Sequence, residues 1–365
     1  MKLILTLVAL FNISTVCSNT KPTIKTKSSK PIENNESKQK FQQQLKYSTG
    51  IRSIFQDSKG NYWFGSHNEG VALYDGIKFT YFTVNDGLSH NQVRTIQEHK
   101  DGSIWFGTGN GVSSYNGKKI INNFSNDHII GFESKPLKMP YIVKNLNKNL
   151  WFNADNKYGF YKLEEHKLSF ISFPIQSNNK RFNEFAVSGK IKSKNGYVWV
   201  PTYSAVFGYD GSRFQIIDDK SNKMTNSKNG LHVRSLLEDS KGNLWIGNNG
   251  IGVLLKSGDT IINFSNKQGL SHENSSGNGS QSPAGTLEHV FAIEEDKKGN
   301  IWFGDRDTGA WKYDGSKMTN YSMEDGLSND FVQSIYSDKD SGLWIGLGDG
   351  SIYRFNGKSF ERQFF

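Results

Sequence analysis

The sequence predicts an all-β fold built from seven repeated units of four antiparallel strands, and three observations carry that expectation. Seven tryptophans, Trp63, Trp105, Trp151, Trp199, Trp245, Trp302 and Trp344, follow one another at intervals of 42, 46, 48, 46, 57 and 42 residues. A common segment recurs around them: VRSLLEDSKGNLWIG from Val233 has counterparts in IRSIFQDSKGNYWFG from Ile51, VRTIQEHKDGSIWFG from Val93 and VFAIEEDKKGNIWFG from Val290. The composition suits short aromatic strands joined by tight turns, with 25 Phe, 15 Tyr, 8 Trp and 37 Gly in 365 residues. A disordered chain would be poor in aromatics.

The elements of one unit follow in order. Ile51, Ile54 and Phe55 mark a first strand that ends at Asp57, and a Ser-Lys-Gly-Asn turn follows with Gly60 free to adopt positive φ. The second strand carries Trp63 and ends in Gly65, the third ends in Tyr74, and Asp75-Gly76 reads as a two-residue type I′ hairpin. Asn116-Gly117, Asp210-Gly211, Asp314-Gly315 and Asn356-Gly357 repeat that signal. A fourth strand over 78–83 leads through Asp86-Gly87-Leu88-Ser89 into the next unit. Units of this length, with four strands and one tryptophan, are blades of a β-propeller, in which each sheet buries its faces against its neighbours. The expectation is a seven-bladed β-propeller of four-stranded antiparallel blades over 51–365. Blades three and four depart from the pattern: Lys148 replaces the turn glycine, and Asn153 and Pro201 replace the glycine after the tryptophan. Trp311 lies outside the register. Two closures are open, one in which the last blade owns its fourth strand at 359–364 and one in which 41–47 adds an outer strand.

Composition also bounds the function. The formal charge is +9, but seven lysines against two glutamates between positions 19 and 50 place most of it in a tail. A nucleic-acid partner is therefore not expected, since such binders concentrate basic charge on the folded domain. A single cysteine excludes an internal disulfide framework and a cysteine-based zinc cluster. Residues 1–18 read as an export signal, with LILTLVALF from Leu3 as its apolar segment, too short to span a bilayer. Cleavage after Ser18 and lipidation of Cys17 are both open, although Val16 stands where a lipoprotein signal carries a small residue. Residues 19–50 read as a polar Lys/Asn/Ser-rich tether. Either route places the mature protein outside the cytoplasm, in the periplasm or anchored to a bacterial membrane by lipid.

The repeat, a strand followed by Asp-x-x-Gly, an apolar-Trp-apolar-Gly run and a Tyr-Asp-Gly hairpin, resembles the two-component regulator propeller repeat of periplasmic sensor regions in bacterial hybrid histidine kinases. The match runs from Ile51 to Phe365 and is strong in five of seven units. The resemblance implies an extracytoplasmic propeller that recognises a glycan or other small ligand and passes the signal to a kinase. The sequence shows no second propeller, immunoglobulin-like domain, transmembrane helix or kinase, so the resemblance implies action through a membrane-bound sensor kinase or another exported protein.

In propellers the loops joining strands two and three, and strand four to the next strand one, share the face that usually binds ligand. The loops after the tryptophans vary while the scaffold repeats, and they offer His67, Glu69, Asn110, Asp155, Tyr203, Asn249, Arg306, Asp307 and Asp349. His90 and His272 sit at matching positions in the other loop set. With Glu69 or Glu273 they could serve acid–base work or a metal. Asn329 fills the same slot in a third copy, however, which points to turn capping. Asp57, Asp239, Asp296 and Asp338, six residues before a tryptophan, recur too often for catalysis and read as Asx bonds holding a turn, with His99 in the same slot. Asp305-x-Asp307-x-Gly309 and Asp338-x-Asp340-x-Gly342 echo half a calcium loop, without its distant glutamate. Tyr203 and Trp311 are sugar-stacking aromatics or inter-blade packing. The small-residue insert 274–285 is a lid or a tolerated insertion. The leading expectation is a non-enzymatic binding propeller without a cofactor. The alternatives are a streptogramin-lyase-like enzyme, for which His90, His232, His272 or His289 would meet carboxylates at the channel mouth, and a protein-interaction scaffold.

Overall fold

The computed structural model describes residues 44–123, 146–154, 157–175, 185–219, 230–272 and 280–365. Blade one consists of strands Ile51–Gln56, Tyr62–Ser66, Val71–Tyr74 and Phe79–Phe82, paired antiparallel in chain order. Blades two, four, five, six and seven repeat this order with four strands each. Blade three shows three strands among the described residues, Leu150–Asn153, Gly159–Glu164 and Lys167–Ser172. The expected export signal, Cys17 and most of the tether lie outside the described residues.

The repeated aspartate holds the turn and the tryptophan together. In blade one the Asp57 carboxylate accepts the backbone N–H of Lys59 at 3.0 Å and of Asn61 at 2.9 Å through Oδ1, while Oδ2 accepts the Trp63 indole N–H at 2.9 Å. Asp239 accepts from Trp245 at 2.9 Å, Asp296 from Trp302 at 2.8 Å and Asp338 from Trp344 at 2.7 Å. The Asx reading is therefore right, and the bond to the buried indole is added to it. The other blades use different acceptors: Ser103 Oγ for Trp105, the Leu146 carbonyl for Trp151, and Glu238 of the neighbouring blade for Trp199.

The hairpins differ from the two-residue turn expected. Tyr74 pairs with Phe79, so the loop holds Asp75 to Lys78. The Asp75 carboxylate accepts the N–H groups of Ile77 at 2.9 Å and Lys78 at 2.8 Å, and Gly76 alone takes positive φ, at 90°. Asn116, Asp210, Asp314 and Asn356 accept in the same way from the second and third residues beyond them. One side-chain oxygen satisfies two backbone donors, and that favours the longer loop over a type I′ turn.

In blades one, two, five, six and seven, neighbouring blades meet at the glycine two residues after the tryptophan. A Cβ on Gly65 would lie 2.9 Å from the Val93 carbonyl of blade two, and one on Gly247 would lie 2.8 Å from the Val290 carbonyl of blade six. Both distances are shorter than carbon and oxygen tolerate. Ser53 donates to the Val93 carbonyl at 3.3 Å, Ser235 to Val290 at 3.1 Å and Ser334 to Ile51 at 2.7 Å, so in blades one, five and seven a buried hydroxyl ties the innermost strand to the next. The last of these bonds joins blade seven to blade one. Of the two closures open in the sequence, the last blade does own its fourth strand, Phe360–Arg362. The described part of the other candidate, residues 44–47, is not a strand. Leu45 and Tyr47 are instead buried at the seam with Ile51, Phe64 and Trp344, and the Phe365 ring lies 5.4 Å from Phe64, 4.8 Å from Tyr74 and 6.3 Å from Trp344.

Candidate functional site

The two loop sets share one end of each blade because a backbone bond ties them. In five blades the first residue after strand two donates its N–H to the residue just before the innermost strand, His67 to Gly50, Gly109 to Gln92, Asn249 to His232, Arg306 to His289 and Gly348 to Phe331, and in blade four Tyr203 donates to Ala186. Six blades thus display their variable residues on one face.

Several of these residues are engaged in holding the face itself. Glu69 accepts from the backbone and hydroxyl of Thr49 at 2.8 and 2.6 Å and from Ser48. Burial raises its pKa, and these bonds outweigh burial to leave it lowered. Asp349 accepts from the Ser328 hydroxyl at 2.6 Å and the Ser351 N–H at 2.9 Å. Asn110 is exposed. His90 Nδ1 accepts the Gln92 N–H at 2.9 Å and Asn329 Oδ1 accepts the Phe331 N–H at 2.7 Å, the capping role that explains both residue types in one slot. His272 differs from them: its backbone N–H donates to Glu288 at 2.6 Å. Asp155 lies outside the described residues. Trp311 is a core residue whose indole donates to Thr308 at 3.0 Å.

On blades five and six, Arg306 grips Asp307 through two bonds of 2.8 and 2.7 Å and reaches the Ser280 carbonyl, and Asp307 accepts the Ser282 N–H at 2.9 Å. The pair pins the described end of the small-residue insert. His289 Nδ1 lies 2.7 Å from Asn249 Oδ1, and its Nε2 lies 3.9 Å from Asp307. Asp305 beneath them is not a calcium ligand in waiting. Its carboxylate accepts the N–H groups of Glu288, His289, Asp307 and Thr308, and burial, opposed by those donors, pushes its pKa up to about 7.

Toward the axis the face becomes cationic and aromatic. Tyr203 packs edge-on against His232 with centroids 5.1 Å apart, and the Arg234 guanidinium lies 5.2 Å from the Tyr203 ring and 5.0 Å from the Phe291 ring. Burial and the charge of Arg234 push His232 down to about 4, with His289 adding to the effect. His67 is lowered by burial and by Arg52 and Arg94. Among the described residues, His67 Nδ1, His232 Nε2, Arg234 Nε and Gln333 Oε1 are buried without a hydrogen-bond partner. They are four of twelve such atoms among the described residues, and each is a donor or acceptor that the protein itself leaves open.

A repeated irregularity creates this layer. In blades one, two, five, six and seven, strand pairing slips at the second residue of the innermost strand, between Ile51 and Ser53, Val93 and Thr95, Val233 and Ser235, Val290 and Ala292, and Val332 and Ser334. The bulged residues are Arg52, Arg94, Arg234, Phe291 and Gln333, and all five line one cavity of about 80 Å³. A bulge re-aims a side chain out of the strand's alternation. Sequence reasoning misses this layer, because Arg beside an apolar strand residue reads as simple alternation. The available signal is the recurrence of Arg at one register position in Ile51-Arg52, Val93-Arg94 and Val233-Arg234.

A second cluster lies at the opposite end of the blades. His99 Nδ1 is 2.9 Å and His166 Nε2 is 3.0 Å from the two oxygens of Asp101. These are the three residues, among those described, whose donor atoms gather as metal ligands would. Each of these atoms faces a partner within the group, and His166 lies in a hairpin where it and Glu165 take positive φ, at 66° and 46°.

The family model described as two component regulator propeller matches residues 48–68, 87–110, 227–250, 285–307 and 326–349, in blades one, two, five, six and seven. No curated protein matches the chain. Among solved structures, one similar chain is the extracellular domain described as that of the hybrid two component system BT4673 from B. thetaiotaomicron, with 20% identity and a TM-score of 0.57 over 86% of this chain and 39% of that one. Another is a streptogramin B lyase, with 14% identity and a TM-score of 0.59 over 88% and 96% of the two chains. The WD40 β-propeller domain of Doa1 aligns at 9% identity and a TM-score of 0.53, over 86% and 95%. These likenesses are of fold. The chain spans about two fifths of the length of the extracellular domain it matches.

Proposed function

The chain carries the repeat of the two component regulator propeller family in five of its seven blades, and from that premise we propose that it is an extracytoplasmic recognition domain that binds a glycan or other small ligand and acts through a membrane-bound sensor kinase. The observation that carries the reading is the axial end of the loop face. There Tyr203 packs beside His232 and Arg234, and His67 Nδ1, His232 Nε2, Arg234 Nε and Gln333 Oε1 are buried without partners among the described residues. An aromatic surface beside unsatisfied donors and acceptors is what a saccharide ring needs, one face for stacking and an edge for hydrogen bonds. The kinase partner rests on the family, and no described helix is long and apolar enough to cross a membrane.

The purified protein, titrated calorimetrically with a panel of oligosaccharides, is expected to bind at least one equally well with and without a chelator. Tyr203→Ala is expected to weaken that binding about tenfold, the scale of a lost aromatic contact with its ordered neighbours. Absence of binding across the panel would overturn the glycan reading. Turnover that requires a divalent cation would replace it with a lyase.

A further inference from the structure

We propose that the central channel is an oxyanion site in which Arg52, Arg94 and Arg234, brought inward by the same bulge in three blades, hold a carboxylate, sulfate or phosphate group beneath the loop face. The inference rests on the recognition reading above and adds that the ligand is acidic.

The charge balance of the cavity carries it. Five cationic side chains, Arg52, Arg94, Lys190, Lys192 and Arg234, line the cavity against one carboxylate, Glu294. Glu294 is 3.5 Å from Lys192, and among the described residues no carboxylate comes within 4.0 Å of Arg52, Arg94 or Arg234. Arg94 is hydrogen-bonded to the neutral Gln92 at 2.7 Å, and Arg234 keeps a buried Nε without a partner. Like charges in a partly desolvated space repel strongly, because water screens them poorly there. Burial is the larger cause and the neighbouring cations add to it: burial, then Arg94 and Arg234, push Arg52 down to about 10, and burial, then Lys192, push Lys190 down to about 8.

An oxyanion would relieve that repulsion and supply the missing acceptors. A guanidinium suits the task because its planar fork presents parallel donors to two oxygens at once. The rings of Tyr203 and Phe291 beside Arg234 restrict where its fork can point. With the cations lining the cavity, the acidic group would enter the channel while the remainder of the ligand stays on the loop face.

The test uses the full chain, titrated with sodium sulfate and with sodium glucuronate at an ionic strength held constant by sodium chloride, and read by thermal unfolding and calorimetry. A saturable rise in Tm above the chloride reference is expected, and the salt that responds identifies the oxyanion. Arg52→Gln and Arg234→Gln should each weaken binding about tenfold or more, as expected for loss of a charge-assisted pair. Both should leave the anion-free Tm unchanged or raised, because each removes one of several facing like charges; a purely structural arginine would instead lower it. Lys298→Gln, at an exposed turn on the other end of the blades, should change neither quantity. The channel site is overturned if no increment exceeds chloride, or if the increment survives in both arginine variants. Binding confined to neutral oligosaccharides overturns it and leaves the recognition reading standing. Oxyanion binding without oligosaccharide binding supports it and removes the glycan.

Discussion

At the scale of single residues, the fold depends on how one carboxylate serves several donors. Asp239 accepts two backbone N–H groups, the Asn243 amide and the Trp245 indole. Burial raises its pKa, and the bonds from Asn243 and Trp245 outweigh it, leaving the group below the usual aspartate range; Asp296 follows the same pattern. The sign follows from linkage. The unfolded state binds the proton more readily, so the contribution is complete above about pH 4 and is lost as pH falls through the depressed native value. Asp239→Ala is expected to cost about 1–3 kcal/mol at neutral pH, because it leaves a buried indole N–H without an acceptor. In chemical denaturation the difference between variant and wild type should shrink as the pH is taken below that range. A difference constant with pH would mean that the carboxylate is not ionised in the native clamp.

At the scale of elements, the apolar-Trp-apolar-Gly run is a statement about neighbouring sheets rather than about its own strand. Gly247 is extended backbone with room for any φ its strand needs, yet the carbonyl of Val290 and the hydroxyl of Ser235 occupy the space where a Cβ would go. Gly247→Ala should therefore destabilise by about 1–3 kcal/mol, the range for overpacking a well-filled interior, with unfolding that remains cooperative. An Ala variant as stable as wild type would show that the blades can separate slightly at no cost. Asn153 and Pro201 hold the corresponding place in blades three and four, the two blades outside the family match. The Asp-Gly hairpins make the complementary point. Their dipeptide marks a turn correctly, but loop length was decided by the aspartate oxygen capturing two N–H groups.

At the scale of the whole molecule, the ring closes by packing and by single hydrogen bonds, since every four-stranded blade is made from consecutive strands. Blade seven meets blade one through Ser334 to Ile51 at 2.7 Å, Tyr62 to Asp338 at 3.0 Å and the Lys339 ammonium to the Asp57 carbonyl at 2.8 Å. The Phe365 ring is wedged among Phe64, Tyr74, Phe79 and Trp344. Phe365→Ala is expected to cost about 2 kcal/mol, less than a fully buried Phe because the ring is only partly covered. Hydrogen exchange should accelerate first in the strands flanking this seam. Uniform acceleration around the ring would place the weakest seam elsewhere.

The sequence by itself determined the architecture, because a period carried by seven tryptophans, four of them with a partner aspartate, is local information repeated until only one way of burying the sheets remains. It also identified the loop face and the capping role of His90, since both follow from position within a repeat. Only the tertiary structure decided where charge gathers. Arg52, Arg94 and Arg234 are 42 and 140 residues apart along the chain, and nothing local reveals that a shared bulge aims them into one cavity. Convergence on an axis is a property of the closed ring, which no single blade contains.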